Sequence, residues 1–232
     1  MADALNITID EARGLVSDHA LWPRVRDFLW DFATQIHPSW LEDIPGWGAM
    51  GAERGEEASA KRGASRLSSP RVKAYVLRQL GVKPLFYRFP KDDWSRLLLL
   101  DGETLLEIAK WLGAIRCADS LRRITDGATV RALKAALPGV YPEAFGYTMY
   151  CVGLGAGTAQ TAADVIHAGL ATLAGSLHSL PAEVVARLRF KLPKDLGDFC
   201  APCDERKEKP AADNAVRKLL KLKFPEAYSL CC

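Results

Sequence analysis

What this sequence withholds narrows its chemistry first. Residues 1–6, Met-Ala-Asp-Ala-Leu-Asn, offer neither the basic region nor the apolar core of a leader, so no secretory signal is expected. Long apolar runs are missing as well. The longest uncharged stretch, 144–163, has only Phe145, Met149, Val152 and Leu154 as strongly apolar residues, set among four glycines and three threonines. A bilayer-spanning helix needs about 20 predominantly apolar residues, so no direct membrane insertion is expected. Apolar–polar alternation of the kind that marks a strand is confined to two short candidates, Pro84–Phe89 and Tyr147–Val152. Histidine is scarce, with four in 232 residues, and no nucleophile elbow is present to set up a hydrolase serine.

Cysteine is present but poorly arranged for chemistry. Without a leader, the six cysteines point to reduced thiols rather than a disulfide framework. Cys200-Ala-Pro-Cys203 has redox spacing, but it precedes a charged, proline-containing loop and lacks the strand–helix–strand setting that lowers a thiol pKa. A tetrahedral zinc site would need a second spaced pair, and Cys231 and Cys232 are adjacent. His167 and His178, on one helix, would stand about 16 Å apart at the helical rise, too far to share an ion. The terminal Cys-Cys also resembles a double prenylation signal, but no nucleotide-binding loop accompanies it. In Gly153-Leu-Gly155-Ala-Gly157 the third glycine comes one residue too early for a dinucleotide fingerprint. No metal, no cofactor and no enzymatic activity are therefore expected.

What is present is ordinary globular material arranged as helices. Hydrophobic residues make up 49% and charged residues 25%, enough apolar content to bury a core at this length. A helical pattern runs over 11–41 through Leu15, Val25, Phe28, Leu29 and Phe32, with Pro38 expected to end it. Gly46, Gly48, Gly51, Gly55 and Gly63, among Ala, Ser, Glu and Arg, make about 45–70 a flexible loop within one domain spanning 1–232. A short helix, 71–80, follows, then an apolar helical run, 94–100. Asp101 and Asp126 are placed to cap helices carrying Leu105, Ile108 and Leu112, and Val130, Leu133 and Leu137. Gly113 marks either a helix end or a close packing point. Helices are also predicted over 161–177, from Pro181 to Phe190, and from Asn214 through Leu220. The fold class is all-α, with at most one or two short strands.

Charge is unevenly spread. Residues 1–45 are acidic, whereas 187–194 and 217–223 are basic and read as solvated helix faces. Arg122-Arg123 and the set Arg217, Lys218, Lys221 and Lys223 are the densest basic positions, and Arg122, Arg123, Arg217, Lys218 and Lys221 are the candidate partner-interface residues. A net charge of +3 is too small to argue for nucleic acid by itself. Two other classes stay open at this point: a helical nucleic-acid-associated protein, and a small thiol enzyme using Cys200 or Cys151.

Residues 97–133 read LLLLDGETLLEIAKWLGAIRCADSLRRITDGATVRAL, and ARLRFKLP at 186–193 and VRKLLKLKFP at 216–225 follow in order. Together these stretches resemble the SctK (YscK-like) family of bacterial type III secretion proteins, with a weaker likeness at Pro38-Ser-Trp-Leu41. The resemblance implies a non-enzymatic adaptor of the cytoplasmic sorting platform, peripheral to the inner membrane. Such an adaptor joins the cytoplasmic domain of an SctD-like ring protein to an SctQ-like pod protein. The family has no active site, so no catalytic residue is implied. The glycine-rich segments at 45–70 and 146–157 depart from its pattern.

Overall fold

Two aspartates start the central helices. Asp101 lies in extended backbone, and its carboxylate accepts the Thr104 N–H at 2.7 Å and the Thr104 hydroxyl at 2.9 Å. Asp126 accepts the same pair of groups from Thr129, at 2.7 and 2.6 Å. Each bond satisfies an amide that a first helical turn leaves unpaired. Partial burial is the largest influence on Asp101 and opposes ionisation, yet the Thr104 bonds together hold its pKa below the usual carboxylate value.

The computed structural model describes residues 19–47, 67, 69–90, 94–151, 153–177, 179–197 and 209–231. These residues are predominantly helical and form no sheet, so the fold is all-α. The α-helices are α1 (Trp22–Leu29), α2 (Pro38–Leu41), α3 (Pro70–Gln79), α4 (Gly102–Arg116), α5 (Ala118–Arg122) and α6 (Gly127–Ala136). They continue as α7 (Ala162–Leu177), α8 (Ala182–Lys191), α9 (Lys194–Gly197), α10 (Lys209–Lys223) and α11 (Pro225–Cys231). Short 3₁₀ helices cover His19–Leu21, Phe32–Gln35, Trp94–Leu99 and Glu143–Cys151.

Helix α4 is apolar around most of its circumference, which suits only a central position. It buries Leu105, Ile108, Ala109, Trp111, Leu112, Ala114 and Ile115 and makes its most extensive contact with α7. Gly113 answers the sequence question as a close packing point. A Cβ there would lie 1.8 Å from the Val165 carbonyl oxygen, and one on Gly169 would lie 1.8 Å from that of Ala109. Around this pair one contiguous core runs from Leu21 to Cys231. Leu105, Leu112 and Leu133 all lie in it. Replacing any of the three by alanine is expected to cost about 2–5 kcal/mol, read from urea unfolding midpoints.

The N-terminal elements wrap the far side of α8. The His37 amide donates to the Phe190 carbonyl at 2.8 Å, and the Trp40 indole donates to that of Leu192 at 2.9 Å. Ser39 Oγ accepts the Lys194 amide at 2.9 Å.

Several expected boundaries move, each for a local reason. Pro38 opens α2 instead of closing a longer helix, because a first-turn proline forfeits an N–H that needs no partner. Pro70 acts likewise in α3, and α10 begins at Lys209 with Pro210 in its first turn, five residues before Asn214. Pro181 is the N-cap of α8 rather than its first residue. Tyr147–Val152 is no strand up to Cys151. A 3₁₀ helix, with three residues per turn, sets Tyr147 and Tyr150 on one face with ring centroids 5.8 Å apart. Residues 82–88 have no regular structure. Most of the expected loop, 48–66 and 68, lies outside the described residues.

Candidate interaction surface

Helix α10 buries Ala212, Ala215, Val216, Leu219 and Leu220 against α7, α4 and the 143–151 segment. Its apolar face is therefore consumed by the body of the protein. Arg217, Lys218 and Lys221 fall on the opposite, exposed face. They do not simply project into water. The Arg217 guanidinium stands 5.3 Å from the Trp94 ring, and the Lys218 ammonium 5.6 Å from the ring of Tyr150. Lys223, half-buried near the end of the helix, lies 4.5 Å from Trp111 and 5.0 Å from Tyr147, and is ion-paired with Glu143. Trp111 and Tyr147 meet edge to face at 5.7 Å. Two flanking cations are thus held on a floor of aromatic rings, a contact worth about 0.5–1 kcal/mol at exposed sites.

The other two candidates lie at α5. Arg122 bonds Asp119 at 3.2 Å, donates to the Phe145 carbonyl at 2.8 Å and covers the Phe145 ring at 5.3 Å. Arg123 is exposed beside it. The segment Glu143–Cys151 therefore meets Arg122 at Phe145 and Lys218 at Tyr150, but the five residues do not converge on one point.

The basic run 187–194 is not a solvated face, contrary to its sequence reading. Arg187 and Lys191 are each only 3% exposed. One turn apart on α8, both bond backbone carbonyls. The Arg187 guanidinium donates to Phe28, to Leu29 at 3.3 Å and to Lys83 at 2.9 Å, lying 4.9 Å from the Phe32 ring. It therefore caps the negative end of α1. Burial lowers its pKa to about 10, which leaves it a cation at neutral pH. Lys191 Nζ donates to Leu98 at 2.6 Å and Leu100 at 2.8 Å, closing the end of the 94–99 turn. Val184, Arg187, Leu188 and Lys191 share one helical stripe, and that spacing was the available signal that these two cations face inward.

Burial is the main cause bringing the Lys191 pKa from 10.5 down to about 7; Asp101 opposes it, while Arg187 and Arg24 add to it. Between those values the unfolded chain binds a proton that the folded chain lacks, so stability rises with pH across that window. Urea unfolding followed over this range is expected to show the rise in the wild type and a flatter profile in Lys191→Met.

Nothing among the described residues assembles a thiol centre. Cys117 is buried, and burial raises its pKa to about 11; Cys231 is buried too. Cys200, Cys203, Cys232, the Cys151 side chain and His178 lie outside the described residues. Among the described residues no three of His, Cys, Asp and Glu gather as metal ligands, and no helix is long and apolar enough to cross a membrane. Comparisons with protein-family models, with curated proteins and with solved structures found no match.

Proposed function

We propose that this chain is a non-enzymatic adaptor of a bacterial type III secretion apparatus. In this reading it works in the cytoplasm at the inner membrane, joining an SctD-like ring protein to an SctQ-like pod protein. The observation that carries the reading is where the SctK-like stretches fall. Residues 97–133 make the end of the 94–99 turn, α4, α5 and most of α6; 186–193 close α8; and 216–225 span the end of α10. The likeness therefore covers elements that build the core and position the α10 surface, rather than scattered loops. An all-α body whose last long helix displays ring-supported cations suits a part that recognises other proteins.

The test is co-purification of the tagged chain with SctQ-like protein and with the cytoplasmic domain of an SctD-like protein, each expressed separately and together. Capture of both, and a ternary complex when all three are present, is the expected outcome. Failure to capture either contradicts the adaptor role.

A further inference from the structure

The exposed side of α10 joins charge to uncovered apolar surface. Around the helix Lys221 stands at the crest, Arg217 leans toward Trp94 on one flank, and Lys218 toward Tyr150 on the other. Leu222 lies one turn beyond Lys218 on the Tyr150 side and is 49% exposed. Met149, immediately before Tyr150, is 65% exposed. Large exposed apolar side chains are few among the described residues, with only Trp30 and Phe86 besides these two. A merely solvated basic face has no use for them. Beyond those ring contacts, none of the three cations has an ion-pair partner among the described residues.

We propose that the exposed face of α10, together with the adjoining edge of the 143–151 segment, seats an amphipathic, acidic helix of a partner protein. The partner's apolar stripe covers Met149 and Leu222, and its carboxylates meet Arg217, Lys218 and Lys221. Charge complementarity selects this occupant, because a basic or neutral helix would desolvate three cations that have no carboxylate partner among the described residues. The aromatic floor adds pre-organisation. Cations already resting on Trp94 and Tyr150 lose less side-chain freedom on binding than free ones would. Met149 supplies an unbranched side chain that adapts to the shape of an incoming apolar stripe. The proposal rests on the adaptor reading only for the existence of a protein partner; the chemistry of the seat comes from this surface.

The probe is a designed helical peptide with leucine at one-turn spacing and glutamate on its flanks, followed by fluorescence anisotropy against the full chain. Wild type is expected to bind it. Reversing Arg217, Lys218 and Lys221 to Glu should weaken binding about tenfold or more, mainly through slower association. Met149→Ser with Leu222→Ser should weaken it about tenfold, mainly through faster release. Circular dichroism should match the wild type in both variants. Absence of peptide binding, equal binding of a lysine-flanked peptide, or undiminished affinity in either variant overturns the proposal. Recruitment to phosphatidylcholine–phosphatidylserine vesicles in place of the peptide overturns it as well. Peptide binding without capture of SctQ- or SctD-like protein would sink the adaptor reading and leave the seat standing. Capture that is unchanged in both variants would do the reverse.

Discussion

Valine at position 113 or 169 is expected to leave the chain unfolded. Helices α4 and α7 approach so closely at this point that each glycine faces the other helix's backbone. A Cβ on Gly113 would meet the Val165 carbonyl oxygen at 1.8 Å and the Gly169 nitrogen at 2.9 Å. These are main-chain atoms within regular helices, so they cannot swing aside as a side-chain tip can. The two helices would have to separate, emptying contacts around Leu105, Ile108, Leu112, Leu170 and Leu173 in the largest interhelical contact of the fold. Overpacking alone costs about 1–3 kcal/mol, and lost core contacts of this kind add about 2–5 kcal/mol for each emptied site. With only two sites emptied the total reaches about 5–13 kcal/mol, comparable to the whole stability of about 5–15 kcal/mol of such a domain. Gly175, also on α7, provides the control. Its added Cβ would sit 3.8 Å from that of Ala212, an ordinary contact. Gly175→Ala should therefore be neutral or gain about 0.5–1 kcal/mol from helix propensity. Far-ultraviolet circular dichroism and thermal melts of the three variants check both halves of the contrast.

Arg187→Glu is also expected to abolish folding. The guanidinium donates to carbonyls of Phe28, Leu29 and Lys83, holding the end of α1 and the 82–88 segment onto α8. A carboxylate in that place would face three acceptors with no donor, deep in the protein. A buried, uncompensated charge costs more than about 3–5 kcal/mol, and protonating it would still leave carbonyls unpaired. Arg187→Met removes the charge instead of reversing it. It orphans the carbonyls at about 1–3 kcal/mol each, while relieving the desolvation of arginine, so a net loss of about 2–4 kcal/mol is expected. Arg187→Lys should fall between wild type and Met, because one ammonium cannot span acceptors on two segments as a guanidinium fork does. Urea denaturation ranks the series. A methionine variant as stable as wild type would remove Arg187 from the account of how α1 is held.

Arg187 and Lys191 also mark where the sequence was hard to read. Composition shows Arg187, Arg189, Lys191 and Lys194 as one basic run, and charge alone gives no inside or outside. Helical phase does, since Arg187 and Lys191 fall on the stripe of Val184 and Leu188 while Arg189 does not, and Lys194 lies beyond the end of the helix at Lys191. The caps at Asp101 and Asp126 were legible because one side chain satisfies amides three residues away, a wholly local interaction. Gly113 was only half legible. A glycine in a helix announces an end or a contact, and the choice depends on Gly169, 56 residues away. Proline positions misled for a similar reason: the residue that stops one helix is also well suited to begin the next. At α10 the helical phase of Val216, Leu219 and Leu220, all buried, differs from that of the cations. The rings under Arg217 and Lys218 could not be foreseen, because Trp94 and Tyr150 reach them from distant parts of the chain.

As proposed above, this protein recognises secretion-platform partners through the charged face of α10. Association kinetics test it most directly. Wild type and the Arg217→Glu, Lys218→Glu, Lys221→Glu variant would be passed over immobilised SctQ-like and SctD-like proteins at low and at high salt. Exposed charges steer encounter and are screened within about 10 Å at 0.1 M salt. The variant is expected to associate more slowly with at least one partner at low salt, to differ less at high salt, and to keep its thermal stability. Association of the variant with both partners at the wild-type rate in low salt would contradict it.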